Sequence, residues 1–131
     1  MGYRSDVKYV LLFESNEGYS KFLGEATLMC GDDPQLAEVL RLITEGKTEI
    51  DADRSYPVQV RVHWENVKWY NELNWVQVQE ELMDITENYN GAYFFVRVGE
   101  EDNDVDSRGD DPKHHYGIND FIYVRTTSHF E

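Results

Sequence analysis

Val7–Phe13, VKYVLLF, is the stretch that decides the architecture. Side chains of an extended chain alternate between faces, so Val7, Tyr9, Leu11 and Phe13 share one face while Val10 and Leu12 make the other apolar too. Such a strand is predicted to lie near the middle of a sheet and to be buried on both sides.

Downstream, the period changes from two to about 3.6. Two helical stretches follow, the first over about Glu17 to Met29 and the second from Pro34, with Asp33 as its cap and Gly46 as its stop. Leu36, Val39, Leu40 and Ile43 fall on one face of the second. KTEIDADRS, Lys47–Ser55, is polar and reads as a loop. Alternation then returns, with Val58, Val60, Val62 and Trp64 pointing one way and Gln59, Arg61 and His63 the other. From Asn71 to Asn90, Trp75, Val78, Leu82, Ile85 and Tyr89 step by threes and fours as the apolar stripe of a third helix, which Gly91 ends. AYFFVRVG (Ala92–Gly99) and DFIYVRTTSHF (Asp120–Phe130) read as the last strands.

The order β-α-α-β-α-β-β predicts a single domain over residues 1–131, α/β or α+β, with about three helices on a mixed four-stranded sheet. Helical connections favour parallel neighbours among the first three strands.

The composition places a folded body under the charge: 40% of residues are hydrophobic, with nine Tyr, six Phe and three Trp. Against 12 Lys and Arg stand 26 Asp and Glu, a net charge of -14. Phosphates repel such a surface, so direct nucleic-acid and anionic-membrane binding are disfavoured and basic protein surfaces are favoured partners. Cys30 is the only cysteine, so no internal disulfide forms. With no signal-like or membrane-spanning apolar run, a cytoplasmic location is expected.

GEEDNDVDSRGDD, Gly99–Asp111, sets seven carboxylates against one arginine, yet the rest of the chain still carries -8. Asp102, Asp104 and Asp106 have the spacing that opens a calcium-binding EF-hand loop, but position six is Ser107 and position twelve is Lys113, so no metal site and no cofactor is expected. The stretch reads as a solvated connection. Glu80, Asp84 and Glu87 form an acidic stripe on the outer face of the third helix, without Lys or Arg between Tyr70 and Val96. The candidate partner-binding residues are therefore Glu80, Asp84, Glu87, Glu100, Glu101, Asp102, Asp104 and Asp106.

The chain has no P-loop, nucleophile elbow, zinc-protease helix or paired CxxC, which leans away from an enzyme and leaves the catalytic set empty. His63, His114, His115 and His129 read as surface or packing residues. Cys30 reads as core filler, and Trp64, Trp69, Tyr70 and Trp75 as core unless Trp69 or Tyr70 is exposed.

The opening MGYRSDV, the VKWY at Val67–Tyr70 and FVRVGEEDNDVDSRGDD from Phe95 together resemble a group of small proteins encoded by bacteriophages and prophages. The three blocks cover about a quarter of the chain, and Glu14 to Ser55 has no counterpart. The group brings no activity and no site residue. Its implication is context: an accessory protein made in the bacterial host cytoplasm. Arg4 in the first block is expected to pair with nearby carboxylates at a strand start, and Lys68 likewise.

These observations lead to an acidic accessory protein that modulates a host protein by imitating a polyanion, with a nucleic-acid-binding or defence factor as the target. Two alternatives stay open. One is a divalent-cation-dependent hydrolase using these carboxylates with His114 or His115. The other is a structural domain, including a homo-oligomer, whose charge only keeps it soluble.

Overall fold

The computed structural model describes residues 2–49, 55–101 and 103–109. The elements are β1 (Ser5–Phe13), α1 (Asn16–Cys30), α2 (Pro34–Glu45), β2 (Lys47–Glu49), β3 (Val58–Val67), α3 (Asn74–Ile85), a 3-10 turn (Thr86–Tyr89), β4 (Gly91–Gly99) and β5 (Val105–Gly109). They make an α+β domain whose five-stranded sheet has the order β2-β3-β1-β4-β5.

Every described strand pair is antiparallel. The expected parallel neighbours are corrected in an instructive way. β3 and β4, joined by α3, both run antiparallel to β1 and so run in the same direction, as a helical crossover demands. They are not neighbours, because β1 lies between them. β1 and β3 are antiparallel because β2, inside the polar stretch read as a loop, joins the sheet edge first, and the chain turns back from it into β3. Of the expected last strands, β4 is present and Asp120–Phe130 lies outside the described residues.

β1 is the centre, as its two apolar faces require: Val7, Tyr9, Val10, Leu11, Leu12 and Phe13 are all fully buried. Tyr9, Leu11 and Phe13 join Phe22, Ala26, Ile43 and Leu82 in the core beneath the helices. Val10 and Leu12 form a second cluster with Phe94, Val96 and Val98 on the opposite face.

The helix ends follow local chemistry. Ser15 caps α1 by accepting from the Gly18 N–H at 3.1 Å, and Asp33 caps α2 by accepting from the Gln35 N–H at 2.8 Å. The third helix is shorter than its apolar stripe. α3 gives way at Thr86 to the 3-10 turn, and Asn90, at φ 58°, takes the left-handed position that stops the chain. Gly91 opens β4 where a side chain would run into the Leu12 carbonyl.

Candidate functional site

The acidic stretch is not simply a solvated connection. Its second half, Val105–Gly109, is β5, which pairs with β4 so that Arg97 faces Asp106 and Phe95 faces Arg108. The intervening turn is closed by the Gly99 N–H donating to the Asp104 carbonyl at 2.8 Å and the Asp104 N–H donating to the Glu101 carbonyl at 3.1 Å. Asn103 occupies a left-handed conformation at φ 70°, which Asn tolerates better than most residues. Alternation explains why the strand was hidden: among charged and small residues, the period of two carries no hydrophobic signal.

A clamp holds the turn to the chain's start. Arg97 Nη2 and Nη1 donate to Asp104 Oδ1 and Oδ2 at 2.8 and 3.2 Å, and Arg97 Nη1 also reaches Ser5 Oγ at 3.1 Å. The Tyr3 hydroxyl donates to Asp104 and accepts from the Glu101 N–H at 3.0 Å. The hydrogen bonds from Arg97, then Tyr3, hold the Asp104 carboxyl below the usual Asp range, and the hydrogen bond to Asp104 raises the Tyr3 phenol.

The helical acids stand beside this hairpin. Glu80 is half-buried, not on the outer face as expected, and pairs with Arg108 at 3.2 Å. The Arg108 guanidinium lies 4.4 Å over the Phe95 ring. Tyr93, facing the helices, has its phenol raised by burial first and then by Asp84, Glu80 and Glu87, with Arg108 opposing. Glu72, Glu80 and Asp106 line a cleft of about 300 Å³ with Trp69, Tyr70 and Arg97. The two acidic groups, far apart in sequence, thus meet on one side of the domain.

The eight candidate residues divide by role. Asp104 and Glu80 are ion-paired and shape the surface. Asp84, Glu87, Glu100, Glu101 and Asp106 are exposed and form no ion pair among the described residues. Asp102 lies outside the described residues, as do His114, His115 and His129. Among the described residues no group of three or more His, Cys, Asp or Glu side chains could hold a metal ion. No helix among them is long and apolar enough to cross a membrane.

Trp69 is buried, so the aromatic cluster is core: Trp75 packs edge-on against Trp64 and Trp69, with centroids 5.0 and 5.4 Å away. Cys30 is buried too, and burial followed by Asp33 raises its thiol, which keeps it a poor nucleophile. Beneath the cluster, Gln79 Oε1 accepts from Tyr9 Oη at 2.6 Å and from Trp64 Nε1 at 2.7 Å, while Gln79 Nε2 donates to the Trp75 carbonyl at 3.2 Å. Sequence reading missed this network. Its one signal was a Gln on the apolar side of a helical stripe.

Arg4 and Lys68 depart from expectation. Arg4 donates to the Asn66 carbonyl at 3.2 Å, and neither cation forms an ion pair among the described residues. The chain matches no protein-family profile, no curated protein and no solved structure.

Proposed function

We propose that this is a phage-type acidic accessory protein that binds a basic surface on a host protein, a nucleic-acid-binding or defence factor, by imitating a polyanion. The observation that carries this reading is the convergence of the helical acids and the hairpin acids on one side. There Asp84, Glu87 and Asp106 stay exposed while the Glu80–Arg108 and Asp104–Arg97 pairs fix the backbone that presents them.

Physics favours such a surface over a flexible acidic tail. Glu80 and Asp84 stand one turn apart on α3, about 6 Å of rise, and Glu87 follows in the 3-10 turn, a spacing of the same order as phosphates along a nucleic-acid strand. Charges carried on packed elements lose less conformational entropy on docking than charges on a mobile segment. At -14 overall, the long-range field steers a basic partner towards the protein.

The test is capture of partners by the tagged protein from nuclease-treated bacterial lysate at low and high salt. A nucleic-acid-binding protein retained at low salt, released at high salt, and lost on Asp84→Lys/Glu87→Lys/Asp106→Lys is the expected result. Retention unaffected by that triple reversal would sink the polyanion mechanism.

A further inference from the structure

The blocks MGYRSDV and VKWY, separated by nearly half the chain, meet at one cleft. Arg4 comes from the first and Lys68 from the second, and both line a cavity of about 370 Å³. Val67, Leu73 and Trp75 give it an apolar lining, and the amides of Gln35 and Asn74 complete it. Among the described residues no carboxylate lines it, in a protein with 26 Asp and Glu.

The state of the cations sets this cleft apart. Lys21, Arg41, Lys47, Arg97 and Arg108 are each neutralised by a carboxylate within ion-pair distance. Lys8 and Arg61 are engaged on the opposite face of the sheet. Among the described residues Arg4 and Lys68 form no ion pair, and both line this cavity. The exposed Lys68 side chain runs beside the start of the chain, so close to Gly2 that a Cβ there would lie 2.8 Å from Lys68 Cε. α3 starts beside the cleft with Leu73 as its N-cap, no capping side chain and no acid in its first turn, and Glu72, just before the cap, lines the neighbouring cleft instead.

We propose that this cleft binds a small organic anion with an apolar body, an aromatic or short-chain carboxylate. Arg4 and Lys68 take the charged head, and Val67, Leu73 and Trp75 take the body. The volume lies at the low end of the range of small-molecule sites, roughly 300–1,000 Å³, which suits one ring system or a short acyl chain better than a polypeptide segment. The site is independent of the polyanion-mimic surface, since it selects the opposite sign of charge.

The experiment titrates 1-naphthoate into the full chain, following amide and indole NMR shifts of Lys68, Leu73, Asn74 and Trp75, with 1-naphthalenemethanol as the uncharged comparator. Saturable binding is expected, about tenfold or more tighter for the carboxylate than for the alcohol. Arg4→Gln/Lys68→Gln should weaken naphthoate about tenfold or more with an unchanged melting temperature, Lys68→Glu alone should weaken it several-fold, and Lys21→Gln should leave it unchanged. Equal affinity for the alcohol, no saturation by about 10 mM, or unchanged affinity in the double variant would overturn the proposal. So would a Leu- and Glu-containing peptide that displaces naphthoate and binds more tightly, since it would assign the cleft to a protein partner.

Discussion

Arg97 grips Asp104 with both terminal guanidinium nitrogens, at 2.8 and 3.2 Å, and so ties the turn between β4 and β5 to the strand it left. The same carboxylate accepts from Tyr3, so the start of the chain is held in the clamp as well. An acid singled out as a partner contact thus fixes the geometry of its neighbours.

The clamp predicts a dependence on pH. Its hydrogen bonds lower the Asp104 carboxyl in the folded state, so between the folded and unfolded values the unfolded chain binds the extra proton. Stability from this group is therefore present above pH about 4 and lost as pH falls through the folded value. Urea unfolding between pH 3 and 7 should show a smaller acid-side loss in Asp104→Asn than in the unaltered protein. Identical slopes would mean the clamp contributes nothing.

Two glycines should respond to alanine in opposite directions. A Cβ on Gly99 would overlap both the Asp104 carboxylate and the Tyr3 hydroxyl, so Gly99→Ala should destabilise by about 1–3 kcal/mol. Gly24 is an exposed interior residue of α1 with nothing within 4 Å of its would-be Cβ. Gly24→Ala should stabilise by about 0.5–1 kcal/mol. Denaturant midpoints at neutral pH compare the two directly.

Sequence legibility followed hydrophobic contrast. β1 could be read from its continuous apolar run, and α2 and the two faces of β3 from apolar and polar residues recurring with a clear period, while Asp33-Pro34 marks a helix start chemically. β2 and β5 could not, because Lys47–Glu49 and Val105–Gly109 are edge strands among the described residues and need no apolar face. The acidic residues themselves were visible. Their division was not: whether Glu80 or Glu87 meets an arginine depends on β5 lying beside α3, a contact between residues 28 apart in the chain.

Gln79 tests the buried network. Gln79→Leu would strand the Tyr9 hydroxyl and the Trp64 indole N–H without their shared acceptor, at a cost of roughly 2–4 kcal/mol. Tyr9→Phe should cost less, because Gln79 keeps Trp64 as a donor. The Tyr9→Phe/Gln79→Leu variant should then fall short of the summed cost by about 1 kcal/mol, since one stranded donor has been removed. Tryptophan fluorescence during urea unfolding supplies all three values, and strict additivity would show the three groups act independently.

Tyr93 offers a local gauge of the acidic surface. Its phenol is raised by burial and then by Asp84, Glu80 and Glu87, each of which disfavours a phenolate among them. Asp84→Asn/Glu87→Gln should therefore bring Tyr93 ionisation to lower pH while leaving the burial contribution intact. Both residues are exposed, so the substitutions should change stability by less than about 0.5 kcal/mol at neutral pH. Carbon NMR of labelled tyrosine follows the ionisation, and the same protein in the lysate capture reads binding. A downward shift with retained stability and lost capture would tie partner binding to this negative field. A shift with undiminished capture would show that the field exists and that the partner docks elsewhere.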